Sequence, residues 1–235
     1  MKSFVFSLFV LTILFFVGCV DEQKQSNKQH DYAAYFYPTD SLLPYIYAFR
    51  DDDQPLDERF YRVYTQINEK EDSTFFIIEL YNSTFRMTEG YTLLLDDDYQ
   101  VTDHMMVDGG GKRRKSRVSS NDFFPMNRKD TAVFISDFPA HVDSLIIVYE
   151  SYKTIADDNA QVHLFDENHA AIKVKDSISV HFVNTEKQRV GSQFYNKYSY
   201  FAKGFGLVRW TDEEGEIDYQ LQKILSEEWW ETYAQ

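Results

Sequence analysis

Along most of this chain apolar and polar residues alternate with a period of two. That is the spacing of a strand with one buried face, not the 3.6 period of an amphipathic helix. "PYIYAFRD" predicts a strand over 45–49, closed by the turn-rich "DDDQPLDE". "RFYRVYTQIN" predicts a second strand, with "EKEDS" as the connection to the next. "STFFIIELYNST" is apolar on both faces, as a central or barrel strand is. "GYTLLLDDDYQVTDHMMV" predicts two strands around the aspartates at 96–98. "TAVFISDF" and "SLIIVYESYKTI" read as strands separated by "PAHVD", and "AQVHLF", "AAIKV" and "SISVHFVN" as shorter strands divided by polar breaks. In "EIDYQLQKI", Ile217, Tyr219 and Leu221 alternate with Asp218, Gln220 and Gln222, giving one dry and one wet face. "GLVRW" joins that strand through "TDEEG", where Gly215 can take the positive φ of a tight hairpin. Only "SEEWWETYAQ" starts like a helix, with Ser226 as its cap and glutamates at the positive end of its dipole.

Strands at this spacing with no helical patterns between them specify an all-β protein. The expectation is a curved antiparallel sheet, half-barrel or sandwich, with at most a short C-terminal helix. No linker rich in Pro, Gly or Ser divides the chain, so residues 37–235 read as a single domain. Two small sandwiches joined near 121–130 would give the same pattern.

The N-terminus follows different rules. Lys2 supplies positive charge, and residues 4–17 form an apolar run interrupted only by Ser7 and Thr12. The run suits a signal-peptide core and is short for a span, which needs about 20 residues to cross ~30 Å of hydrocarbon. It ends in Phe16, Val17, Gly18 and then Cys19, the only cysteine in the chain. This resembles the lipobox of bacterial lipoproteins, in which a small residue precedes a cysteine that is acylated and becomes the new N-terminus. The resemblance implies a signal peptide over 1–18 and a diacylglyceryl group plus an N-acyl chain, palmitate for example, on Cys19. Each buried CH₂ adds about 0.8 kcal/mol, so several chains make a stable anchor. An uncleaved N-terminal anchor helix and an ordinary cleaved signal are the other readings of the same run. The polar stretch "VDEQKQSNKQHD" that follows is too poor in apolar residues to drive ordering, and residues 19–36 read as a flexible tether. Asp21 and Glu22 resemble the surface-export signals of some Gram-negative lipoproteins, and a solvated tether explains them equally well. The implied location is the cell envelope, at the outer membrane, with either face open.

Composition narrows the function further. The chain has 235 residues and a net charge of −14, or −15 once Lys2 leaves with the signal. Such a field repels phosphate backbones, so nucleic acid is not an expected partner. With Cys19 acylated no thiol remains for a disulfide, and the fold must rest on packing. Tyr (17) and Phe (20) are abundant. Aromatic strands can stack on carbohydrate, but they also reflect the β-propensity of these residues.

A second resemblance lies near the C-terminus. "YSYFAKGFGLVRW" (198–210), preceded by "VKDSISVHF" (174–182), is similar to a pattern in uncharacterised Gram-negative envelope lipoproteins. Several of these look like the LolA/LolB superfamily, an antiparallel half-barrel around an apolar cavity. The likeness covers 170–225, implies fold class only, and assigns no functional residue. Gly204 and Gly206 flank Phe205 and would permit a bulge or corner where a curved sheet bends.

Most candidate chemistry fails on spacing. "DGGGKRRKS" (108–116) invites a phosphate-loop reading, but Met106 and Arg113 stand where a Walker loop needs Gly and Ser or Thr. Lys112, Arg113, Arg114, Lys115 and Arg117 still make a local basic patch, either a solvated hairpin tip or a docking site for an anionic surface or acidic partner. His163 and His169 are six apart, and His30, His104, His141 and His181 are scattered, so no zinc-hydrolase spacing exists. Asp51 to Asp53, the aspartates at 96–98, and Asp157 with Asp158 fit no calcium loop. There is no G-x-S-x-G elbow, and no pair of acids stands out for glycoside cleavage. No metal, cofactor or catalytic residue is assigned. The expectation is a lipid-anchored, non-enzymatic envelope lipoprotein that binds an apolar ligand or lipid within a curved sheet. The alternative is an accessory subunit of an outer-membrane protein complex, docking through an aromatic face.

Overall fold

The structure, a computed structural model, describes residues 32–70, 72–95, 99–142, 144–184 and 186–234. Cys19, the signal segment and most of the tether lie outside these residues, as do the aspartates at 96–98.

Thirteen strands form one antiparallel sheet that rolls nearly into a barrel. They are β1 (Tyr45–Asp51), β2 (Gln54–Asn68), β3 (Ser73–Tyr81), β4 (Met87–Leu94), β5 (Gln100–Val107), β6 (Arg113–Lys115), β7 (Arg117–Asn121), β8 (Thr131–Pro139), β9 (Leu145–Leu164), β10 (Glu167–Asn184), β11 (Arg189–Ala202), β12 (Gly206–Asp212) and β13 (Asp218–Leu225). The spatial order β6-β5-β4-β3-β2-β1-β13-β12-β11-β10-β9-β8-β7 is a meander in which the first and last strands pair with each other. The two edge strands, β6 and β7, are consecutive in the chain with Ser116 alone between them. Both ends of the ladder therefore meet at one residue. Ser116 N–H donates to His104 O at 2.8 Å, a bridge joins Gln100 to Asp122, and Asn121 Nδ2 donates to Gln100 Oε1 at 3.2 Å. Near-closure of this kind leaves little edge for another chain to pair with.

The inner face is aromatic. Tyr47, Phe49, Tyr61, Phe76, Phe134, Phe201 and Trp210 point into one core with Val63, Ile78, Leu93, Ile172 and Val174. Two irregular segments help to fill it. In 122–130, Phe124 and Met126 are buried. The other is the start of the described chain. Residues 32–36 were expected to be tether; instead they hold a 3-10 turn (Ala33–Tyr35) and bury Tyr32 and Phe36. The aromatic side chains supply the burial that the polar stretch before them lacks. Phe36 packs against Phe76, Tyr99 and Phe124 with ring centroids 4.7–5.6 Å apart. Tyr32 N–H donates to Met126 O, and Gly204 N–H to Ala34 O. Gly206, with φ +83, turns β11 into β12 against Tyr37; a Cβ there would lie 2.5 Å from the tyrosine ring. Gly215 (φ +76) sits in the β12–β13 hairpin as its sequence context predicts.

The expected shorter strands around "AQVHLF", "AAIKV" and "SISVHFVN" are instead two long ones, β9 and β10, of 20 and 18 residues. Asp157 to Asn159 look like a turn because Asp157 Oδ1 accepts the Asn159 N–H at 2.9 Å. Register shifts at Ala171/Lys173 and Lys173/Val174 absorb that bend without ending either strand. The single helix among the described residues, α1 (Glu227–Tyr233), lies outside the sheet. Ser226 caps it as expected, accepting the Trp229 N–H at 3.3 Å. Its Trp230 covers Ile46, Ala48 and Phe60, the outward residues of β1 and β2.

Candidate functional site

Within the aromatic interior is a cavity of about 120 Å³ whose wall carries four charged side chains, Glu89, Lys153, Asp176 and Lys197. Three of them form a row. Asp176 on β10 is directly opposite Lys153 on β9 and directly opposite Lys197 on β11. Glu89 comes from β4, six places from β11 in the thirteen-strand order, so it faces the row across the lumen.

Each carboxylate is held at one oxygen. Glu89 Oε1 accepts the Tyr91 hydroxyl and lies 3.1 Å from His104 Nε2. The imidazole is buried, stacks on Tyr91 with centroids 4.6 Å apart, and has no partner at Nδ1 among the described residues. An unpartnered lone pair is cheaper to bury than an unpartnered N–H, so this geometry favours the tautomer with its proton on Nε2. Asp176 Oδ1 accepts the Ser151 hydroxyl at 2.6 Å.

The lysines are held differently. Among the described residues neither ammonium comes within 4.0 Å of a carboxylate oxygen. Lys197 Nζ sits 5.1 Å from the Trp210 ring centroid and Lys153 Nζ 4.8 Å from that of Phe123, cation–π distances. The site therefore has two anchored carboxylates and two cations braced on aromatic faces, with space between them.

Electrostatics follow from this layout. Burial alone would raise the Glu89 pKa; the hydrogen bond from His104, the Tyr91 hydroxyl and the Lys197 charge outweigh it and hold the carboxyl below its ordinary 4.5. Burial lowers the Lys197 pKa, opposed by the charges of Asp176 and Glu89. Tyr91 and Tyr149 are pushed well above their ordinary 10.0, chiefly by burial and then by the neighbouring carboxylates. The four tyrosines on the wall, Tyr37, Tyr61, Tyr91 and Tyr149, present their hydroxyls as neutral groups.

The residues expected to act lie elsewhere. Cys19 is outside the described residues. The basic patch is on the β5–β6 hairpin and β7, and three of its five cations are neutralised locally. Arg114 Nε pairs with Asp108 at 2.8 Å, Lys115 with Asp103 at 3.2 Å and Arg117 with Asp137 at 2.8 Å. Lys112 and Arg113 remain exposed and without an ion pair among the described residues. The glycine loop at the hairpin tip is built around Asp108, whose Oδ1 accepts the N–H groups of Gly110 and Lys112. Those backbone donors, Lys112 first, and Arg114 hold its carboxyl below the ordinary range. Among the described residues no three His, Asp or Glu side chains gather as a metal site.

Sequence reasoning missed Glu89, Lys153, Asp176 and Lys197, yet each leaves a signal. In β10, Ile172, Val174, Asp176 and Ile178 share the inward face, and Asp176 breaks an apolar register. Lys197 leaves a weaker one, as a charge two residues before Ser199 and four before Phe201, which are buried on β11.

Comparison with known families finds no match for this chain, and no curated protein matches it. Among solved structures, the chain is similar in fold to a candidate lipoprotein from Parabacteroides distasonis, at 9% identity and a TM-score of 0.48. The superposition covers 81% of this chain and 98% of that one. A likeness of that degree leaves function to be read from this chain's own residues.

Proposed function

We propose that this protein is a lipid-anchored, non-enzymatic component of the cell envelope, at the outer membrane, that binds a small polar molecule inside its sheet. The observation that carries the binding role is the cavity wall. Lys153, Lys197, Glu89 and Asp176 turn toward a shared space without pairing directly with one another. Buried charges are costly unless something compensates them. An acyl chain offers no compensation, and pockets for lipid-sized ligands run to a few hundred Å³, against about 120 Å³ here. The geometry therefore favours a polar ligand over the apolar one expected from the fold class alone.

The anchor rests on the Cys19 lipobox. Intact mass spectrometry of membrane-purified protein should find a chain beginning at an acylated Cys19; residues 1–18 still attached, or a free thiol, would overturn it. For the ligand, thermal melting with fatty acids should leave Tm unchanged, and a rise with acyl chain length would restore the lipid-carrier reading. The accessory-subunit reading has one supporting observation of its own. Tyr152, Val190 and Phe194 stand exposed on the long strands β9 and β11, and a partner protein could cover them.

A further inference from the structure

The charge inventory of the cavity restricts what can enter it. Two ammonium groups and two carboxylates balance, so a ligand bearing a net charge leaves the site unbalanced, at a cost that low local polarity magnifies. A neutral polar molecule offers no full charge to either set. A zwitterion meets both conditions: its carboxylate faces Lys153 and Lys197, and its ammonium faces the unheld oxygens of Glu89 and Asp176.

Size points the same way. At about 120 Å³ the cavity is small beside ordinary ligand pockets, which suits a molecule with few heavy atoms beyond its two charged groups. The surrounding hydroxyls of Tyr37, Tyr61 and Tyr149 add neutral donors without disturbing the balance.

We propose that the ligand is a small α-amino acid in its zwitterionic form, held between the Lys153–Asp176–Lys197 row and Glu89. This rests on the polar-ligand reading above and narrows it to one class. The carboxylates are anchored by Ser151, Tyr91 and His104 and the lysines by Phe123 and Trp210, so the site is formed before a ligand arrives.

The test uses the full, lipid-anchored chain in detergent with four probes at matched concentration: glycine, L-alanine, acetate and methylammonium. Glycine or alanine should bind by calorimetry and raise Tm, while the two singly charged probes do neither. Lys197→Met and Asp176→Asn should each weaken amino-acid binding at least tenfold, since each removes a charge-assisted contact. If either variant fails to fold, the four-probe comparison on the unaltered protein decides alone. Acetate binding as tightly as glycine would overturn the zwitterion while leaving a polar-ligand site standing. No response to any probe, with native mass spectrometry finding no copurified small molecule, would overturn both.

Discussion

The inner face of one sheet carries two regions built on opposite physical terms. At the packed end Phe36, Tyr47, Phe49, Phe76 and Trp210 fill the lumen with ring on ring; Phe49 alone lies 4.7 Å from Trp210, 5.0 Å from Tyr61 and 6.4 Å from Tyr47. At the other end the same inward register holds Glu89, Lys153, Asp176 and Lys197 around open space. Aromatic burial contributes stability directly, through area removed from water and ring–ring geometry. The charged end contributes little or costs stability, because desolvating four ions offsets much of their mutual attraction. A fold that needed only to be stable would have continued the aromatic packing across both ends. The charged end departs from packing for stability alone.

The most severe test of that division is at the packed end. Phe49→Ala should lower unfolding free energy by about 3–5 kcal/mol, the range for emptying a buried aromatic site, read from the midpoint of urea denaturation. A loss below about 1 kcal/mol would mean that the aromatic end does not carry the fold.

The acid and alkaline limits of pH stability should also have different origins. Glu89 is held below its ordinary 4.5, so its contribution is complete above that value and disappears as pH falls through the folded-state pKa. Tyr37, Tyr47 and Tyr61 are raised above 10.0 by burial, so their contribution is complete below pH 10 and is lost as pH rises beyond it. Glu89→Gln should cost about 1.5–3 kcal/mol at neutral pH, as loss of hydrogen bonds to a charged group does, and should flatten the acid decline. The alkaline decline should soften as well, because the Glu89 charge helps to raise Tyr61, Tyr91 and Tyr149. If the acid limb is as steep in the variant as in the parent, the charged end is not what fails at low pH.

How much of this division can be read from residue order alone depends on which face a residue serves. The strands with one dry face, such as β8 with "TAVFISDF" and β13 with "DYQLQKIL", are evident from alternation. The first half of β11, "RVGSQFYNK", is not, because both of its faces are largely exposed and no period appears. Strands β6 and β7 are hidden for another reason: they are three and five residues of mostly charged and small side chains at the seam of the barrel. The bends in β9 and β10 look like chain breaks because an Asx turn at Asp157 has the same composition whether the strand ends there or passes through. The charged site was the least legible part. Its four residues come from four strands separated by up to 108 positions, and only the closed topology brings β4 opposite β10 and β11. A charged residue on an inward register, Asp176 between Val174 and Ile178, was nonetheless visible in the alternation itself.

The smallest expected effect concerns the outside of the packed end. Strands β1 and β2 are covered on both faces: Tyr47, Phe49 and Tyr61 point inward, while Ile46, Ala48 and Phe60 lie under Trp230 of α1. The helix is clamped by Arg62, whose guanidinium reaches Glu227 at 2.7 Å and Glu79 at 2.8 Å. Its first turn depends on the Ser226 hydroxyl. Ser226→Ala removes that acceptor and should cost about 1 kcal/mol, seen as a modest fall in Tm. Because α1 and the charged cavity lie on opposite sides of the sheet, the acid limb and the affinity for any cavity ligand should stay as they were. A change in either would mean that β1 and β2 transmit packing on their outer face to the lumen, and the two regions would then have to be treated as one coupled unit.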